Sequence, residues 1–194
     1  MSEVLDRRDL ALYAQDVFSR GRTPAAVLRP TSVAALVDGI RDARGMTIVP
    51  RGGGMSYTSG YLADADDVLL VDIVAVDEAN MTVTVEAGVT WAALYAELHP
   101  RGLRVPVWGT LSGIKATVGG GMSQNGTFWG ARNGSIAAQA LSMDVVLACG
   151  TLVTTGSGVL RPFGPDVTGV FAGDCGAFGV KARVTLPLAP EADA

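Results

Sequence analysis

Apolar residues recur along this 194-residue chain at two periods, and the switching between them predicts short strands interleaved with helices. Val33, Leu36, Val37 and Ile40 fall at helical spacing behind Thr31 and Ser32, both good N-caps, so a helix is expected over about 33–43, ended by Gly45. Met46 to Pro50 reads as a buried strand, and Asp67 to Ile73 as another. Met81 to Glu86 alternates with period two, Thr90 to Leu98 is helical with Trp91, Leu94 and Leu98 on one face, and Pro100 to Gly102 breaks that helix. Leu141 to Ala148 and Leu152 to Thr155 predict a hairpin turning at Cys149 and Gly150, and Ala182 to Leu188 alternates as a closing strand. No low-complexity tract or repeat interrupts the series, so the pattern describes an α+β or mixed α/β domain.

Two glycine-rich stretches punctuate this pattern, each beside a β-like segment. They are Arg51 Gly52 Gly53 Gly54 Met55 Ser56 and Thr117 Val118 Gly119 Gly120 Gly121 Met122 Ser123 Gln124 Asn125 Gly126. Three consecutive glycines contribute nothing to a core and cost conformational entropy, so they belong where backbone must approach something closely or take positive φ. Successive exposed N–H groups form an anion-binding nest. Two such loops suit a diphosphate held from both sides. Neither matches the Rossmann spacing or the phosphate loop with its Lys-Ser/Thr pair, so the expected cofactor calls for a different architecture.

Composition narrows the class further. With 48% hydrophobic and 18% charged residues, the chain can bury one large core or two small ones. A net charge of −4, with the basic residues scattered, argues against a nucleic-acid surface. No apolar run approaches the ~20 residues of a membrane span. Residues 1–8 are mixed in charge and lead into no apolar core of a secretory signal, so a cytoplasmic location is the expectation. Cys149 and Cys175 lack metal-ligand spacing and are too few for a disulfide framework; they read as reduced thiols, small and buried. His99, at the end of a helix beside Pro100 and Arg101, reads as a C-terminal cap.

Five segments, in order, carry a family resemblance. Val27 Leu28 Arg29 Pro30 precedes the Ser-Val helix; Pro50 Arg51 Gly52 Gly53 Gly54 Met55 Ser56 and Val85 Glu86 Ala87 Gly88 follow. Then come Thr117 to Gly120 with Asn125 Gly126, Trp129 Gly130 and Met143 to Gly150, and finally Asp166 to Gly173 with Gly176 to Val180. Together they resemble the FAD-binding (PCMH-type) domain of the vanillyl-alcohol oxidase and p-cresol methylhydroxylase family, over about residues 22–189. The resemblance implies an α+β fold of two lobes, about 22–76 and 77–189, flanked by a helical extension over 1–21 and a tail over 190–194. FAD would lie between the lobes, its diphosphate on the first loop and its adenine end toward the second lobe.

By motif position the resemblance assigns cofactor contacts to Arg51, Gly52, Gly53, Gly54, Met55, Ser56 and Tyr57 in the first segment. Thr117, Gly119, Gly120, Ser123, Gln124, Asn125 and Gly126 form the second, and Val180 is a backbone contact. The glycines of the second segment have an alternative reading as a helix start packed tightly against a strand. Arg51 either stabilises the anion or makes a salt bridge on the loop's outer side. Tyr57 either borders the flavin ring or packs with a wet hydroxyl.

Departures from the family pattern bear on chemistry. Met55 stands where many covalent members have His, and a thioether cannot form a histidyl-flavin bond, so FAD is expected to be non-covalent there. Asp144, Asp166 and Glu86 are accounted for by turns and caps, and no catalytic residue is assigned. The chain also stops where family enzymes usually continue into a domain that covers the flavin and binds substrate. Three readings result. The first is the FAD-binding portion of an oxidoreductase of a small organic substrate, completed by a partner or cap domain. The second is an FAD electron-transfer subunit like that of molybdenum hydroxylases, and the third is a degenerate binding module without flavin.

Overall fold

The computed structural model describes residues 10–57, 75–108, 113–127, 129–161 and 164–191. Four helices are built from short capped segments: α1 (Val33–Asp42), α2 (Trp91–Leu98), α3 (Val118–Gln124) and α4 (Val167–Val170). Each begins on a side-chain oxygen. Ser32 accepts from the Ala35 amide, Thr90 from Ala93, Thr117 from Gly120 and Asp166 from Gly169, satisfying donors that the first turn leaves over. Gly45 (φ +94°) and Gly102 (φ +64°) turn the chain after α1 and after the 3-10 turn that extends α2.

Five strands form the main sheet: β1 (Ala75–Asp77), β2 (Thr82–Glu86), β4 (Ser142–Val146), β5 (Leu152–Gly156) and β6 (Val180–Pro187). Their order is β1-β2-β6-β4-β5, all neighbours antiparallel. The 142–156 hairpin turns at Cys149 and Gly150 as the sequence predicts. There Gly150 donates to the Leu147 carbonyl (2.8 Å) and takes φ +77°. The expected closing strand is two residues longer at its start than the alternation suggests, and it occupies the middle of the sheet. A second, two-stranded sheet pairs β3 (Leu103–Arg104) with β7 (Ala189–Pro190).

The main core lies on one face of the sheet. Val83, Val85, Met143, Val145, Val184 and Leu186 from the strands pack against Trp91, Leu94 and Leu98 of α2 and Val118 and Met122 of α3. A smaller cluster joins Leu36 and Ile40 of α1 to Val146, Val180 and Ala182. Adjacent residues Val145 and Val146 thus serve different clusters, as strand alternation requires. The pairing of β4 with β6 slips between Asp144 and Val145, whose partners are Arg183 and Lys181. Ala182 is the extra residue of this β-bulge. The bulge accompanies the change from Val184 and Leu186 in the main core to Val180 and Ala182 under α1.

Three sequence expectations are corrected here. Met46–Pro50 is half-exposed and carries no strand pairing among the described residues; its expected neighbour Asp67–Ile73 lies outside them. The described part of the N-terminal extension is a 3-10 turn (Ala11–Tyr13) and an isolated bridge between Gln15 and Arg20, not a continuous helix. Both cysteines are exposed, because Cys149 sits at the hairpin tip and Cys175 in a left-handed turn at φ +52°.

Arg161 donates to both carboxylate oxygens of Asp166, at 3.1 and 2.5 Å, and this pairing with the Gly169 amide holds the Asp166 carboxyl below its ordinary value. A depressed carboxylate contributes stability above its unfolded value near pH 4 and loses it as pH falls through the folded value. Asp166→Asn keeps a capping side chain, so its melting temperature should fall less steeply than that of the wild type below about pH 4. Calorimetric scans between about pH 2 and 6 make the comparison; parallel curves would remove this pair from the acid sensitivity.

Candidate functional site

The two glycine stretches meet. A Cβ on Gly52 would overlap the Thr117 hydroxyl, and one on Gly53 would overlap the Lys115 carbonyl oxygen. No side chain fits between the first loop and the strand-like approach to α3, so absence of Cβ sets the distance between the segments. Gly54 takes φ +67°, a left-handed residue within the run.

The two stretches differ in what their amides do. In the second, Val118 donates to the Val89 carbonyl (2.9 Å), Gly119 to Ala87 (2.8 Å), Gly120 to Thr117 Oγ1 (3.2 Å) and Gly121 to the Thr117 carbonyl (3.0 Å). A Cβ on Gly119 would stand 2.5 Å from the Ala87 Cβ, and one on Gly121 2.9 Å from the Trp91 ring. The alternative reading of these glycines therefore describes Gly119 and Gly121: a helix start packed hard against the β2–α2 connection. In the first stretch, by contrast, no described residue accepts a hydrogen bond from the amides of Gly52, Gly53, Gly54 or Met55. Four successive donors without an acceptor among the described residues are the feature a diphosphate would satisfy.

An open cleft runs beside this loop. Its lining comprises Pro50, Arg51 and Gly52, then Ala87, Thr117, Gly119, Gly120 and Ser123, and finally Val180 and Lys181 from the start of β6. Of the residues predicted from sequence, it gathers Arg51, Gly52, Thr117, Gly119, Gly120, Ser123 and Val180. Gly53, Gly54, Met55, Ser56, Tyr57, Gln124, Asn125 and Gly126 lie outside this lining. Met55 packs its side chain against the main core, and Ser56 is buried with its carbonyl accepting from Val17 (3.2 Å). Tyr57 is 58% exposed and lies 5.2 Å from the Phe18 ring. Asn125 ends α3 in the left-handed region, Gly126 accepts from Ile136 (3.1 Å), and Gln124 Nε2 donates to Cys175 Sγ (3.4 Å).

Arg51 does a job that neither sequence reading named. Its Nη1 and Nη2 donate to the carbonyls of Tyr13 (3.2 Å) and Gln15 (2.7 Å), and the guanidinium lies 5.8 Å from the Tyr13 ring centre. Burial pushes this guanidinium below its ordinary value, opposed by Tyr13 and Asp16. Arg51 thus ties the N-terminal segment to the back of the glycine loop.

Sequence reasoning missed Lys181 and Asp174. Lys181 Nζ donates to Asp174 Oδ1 at 2.5 Å, with side chains only 3% and 1% exposed. The same carboxylate accepts from the Gly176 amide (2.9 Å) and the Phe178 amide (3.3 Å), closing a turn whose Gly176 abuts the Pro50 ring. Burial holds the Lys181 ammonium below its ordinary value and Asp174 opposes the shift. A lysine inside the apolar run Gly179 Val180 Lys181 Ala182 was the available signal, since such a charge is rarely buried without a partner. Among the described residues no cluster of His, Cys, Asp and Glu could hold a metal ion, and no helix is long and apolar enough to cross a membrane.

A two-segment glycine cradle on an α+β domain, with one run of amides that no described residue accepts from, is the candidate site. A family model described as FAD binding domain matches residues 24–156, more than half of the chain, and the chain belongs to that family of FAD-linked oxidoreductases. Its PCMH-type fold is shared with solved structures. The Physcomitrella patens protein BBE-like 1 superposes with a TM-score of 0.77 at 22% identity, over 97% of this chain and 42% of that one. Among curated proteins, "Glycolate oxidase subunit GlcD" of Bacillus subtilis is 28% identical over 177 residues, 87% of this chain and 37% of its own. The Danio rerio protein named "Probable D-lactate dehydrogenase, mitochondrial" is 31% identical over 185 residues, 87% of this chain and 36% of its own. The chain thus spans little more than a third of the length of these curated relatives.

Proposed function

We propose that this chain binds FAD non-covalently along the cleft and acts as the FAD-binding part of an oxidoreductase that removes two electrons from a small organic substrate. The observation that carries the reading is the run of amides at Gly52, Gly53, Gly54 and Met55 with no described acceptor, placed against the start of α3. Bound there, FAD would supply hydride acceptance at N5, chemistry that belongs to the cofactor. The chain's own residues do the binding. The first loop offers amide donors, and Thr117, whose Oγ1 already accepts from Gly120, retains its hydroxyl proton for the cleft. The wall from Val180 holds the cofactor's nucleotide end away from water. Met55, turned toward the core, supports non-covalent attachment. The names of the two curated relatives, glycolate and D-lactate, favour a small hydroxy acid or similar alcohol as substrate. The surface over the flavin would come from a partner or cap domain.

An absorption spectrum of the purified protein, before and after addition of FAD, tests this reading together with acid precipitation. Flavin bands, with all flavin released to the acid supernatant, are the expected outcome. Flavin retained in the pellet would overturn non-covalent attachment, and a protein that stays colourless at high FAD concentration would overturn cofactor binding altogether.

A further inference from the structure

The first glycine loop is held at both ends by one short segment of the chain. At its start, the Arg51 guanidinium donates to the carbonyls of Tyr13 (3.2 Å) and Gln15 (2.7 Å). A Cβ on Gly54 would overlap Arg51 Nη2 and stand 2.9 Å from Cζ, so the guanidinium lies between Gly54 and those carbonyls. At its end, the Ser56 carbonyl accepts from the Val17 amide (3.2 Å), and the Tyr57 ring lies 5.2 Å from that of Phe18. The segment is itself closed into a turn. Gly21 donates to the Ala14 carbonyl (2.8 Å) and Asp16 to that of Ser19 (3.0 Å). The Asp16 carboxylate accepts from the amides of Phe18 (2.8 Å) and Ser19 (2.7 Å), and Gln15 and Arg20 form an antiparallel bridge. Between the two anchor points lie residues 52–55, whose amides meet no acceptor among the described residues.

A glycine run loses much conformational freedom when it is ordered around an anion, and anchoring both of its ends beforehand lowers that loss. Resting on the proposed binding of FAD along this loop, we infer that residues 13–21 are a positioning strap for the cofactor: docked on Arg51, Ser56 and Tyr57, they hold the amides of residues 52–55 in the arrangement that takes the diphosphate. Arg51 is a positioning residue that acts through the carbonyls of the strap. Such coupling is reciprocal, so FAD tightens the strap by the same factor by which the strap tightens FAD.

Hydrogen exchange of the full chain, read by mass spectrometry with and without saturating FAD, tests the coupling. Exchange over 13–21, where the amides of Asp16, Val17 and Gly21 are donors, should slow about tenfold with FAD bound, while exchange over the 142–156 hairpin changes by less than about twofold. Fluorescence titration of FAD into Asp16→Ala supplies a second readout. This substitution removes a negative charge that acts on Arg51, which by electrostatics alone would strengthen the binding of an anion. Loss of the turn should instead weaken FAD binding about tenfold, and Arg51→Lys, which keeps the charge and loses the fork, should weaken it by a similar factor. If Asp16→Ala does not fold, the exchange of the wild type decides alone. Bound FAD with unchanged exchange over 13–21, slowing shared equally with the hairpin, or an Asp16→Ala protein that binds FAD at least as tightly as the wild type would overturn the inference while leaving FAD binding intact. A wild-type protein that takes up no FAD would overturn the proposed function and this inference with it.

Discussion

Asp174→Ala is expected to lower the stability of the protein by about 3–5 kcal/mol, because it leaves the Lys181 ammonium buried without its counter-ion. The carboxylate is the acceptor for Lys181 Nζ and for the amides of Gly176 and Phe178, so one truncation orphans three donors. For a chain of this size each kcal/mol moves the melting temperature by roughly 2–4 °C, which puts the expected drop at roughly 6–20 °C in a calorimetric scan. Asp174→Asn with Lys181→Met removes both charges together. That double variant should recover a large part of the loss, since replacing a buried ion pair is far less costly than breaking it. A single variant that melts within about 2 °C of the wild type would show that water reaches the pair and screens it.

Gly53→Val is expected to cost the site more than it costs the fold. The new Cβ would overlap the Lys115 carbonyl oxygen and stand 2.6 Å from its carbonyl carbon and 3.3 Å from the Ala116 nitrogen. These are backbone atoms on the approach to α3, and no rotamer change relieves them. Overpacking of this kind costs about 1–3 kcal/mol, and it is relieved only by a shift of the loop against Lys115 and Ala116. Its displacement takes the amides of residues 52–55 away from the cleft wall, so FAD affinity should fall at least about tenfold, at about 1.4 kcal/mol per decade. Gly45→Ala is the control. It too introduces a Cβ where φ is positive (+94°), but nothing lies within 4 Å of that Cβ. It should lower stability by about 1 kcal/mol with FAD affinity unchanged. Fluorescence titration of FAD into the two variants separates them; equal affinities would mean that the contact between the glycine segments does not shape the site.

Much of this architecture was legible before any coordinates. Ser32 is a cap residue with a local mechanism, and helices α1 and α2 follow from apolar spacing, which the caps at Ser32 and Thr90 support. The hairpin at Cys149 and Gly150 is equally local, since Gly150 needs positive φ. What escaped was non-local. The glycines of the two stretches look alike in sequence, yet Gly119 and Gly121 are explained by Ala87 and Trp91 some thirty residues earlier, whereas the amides of Gly52 to Met55 meet no acceptor among the described residues. Arg51 reads from sequence as either an anion contact or an outer salt bridge, and its guanidinium lies instead on the carbonyls of Tyr13 and Gln15. The exposure of both cysteines depends on turn geometry that an apolar neighbourhood in sequence conceals, and the place of Lys181 depends on the turn through Asp174.

The position of β6 at the centre of the sheet governs the order in which the protein can assemble. Strand β2 must find a partner far along the sequence, Glu86 beside Arg183, 97 positions apart, and β4 depends on the same strand. The α1 cluster also waits, since Val180 and Ala182 complete it. At a ribosomal rate of about 5–20 residues per second, β2 stays without this neighbour for roughly 5–20 seconds after it is made. Its apolar Val83 and Val85 are open to wrong pairings in that interval. Late closure by a single strand makes this a slow-folding kind of topology, in which changes within 180–187 act on yield before they act on the finished molecule.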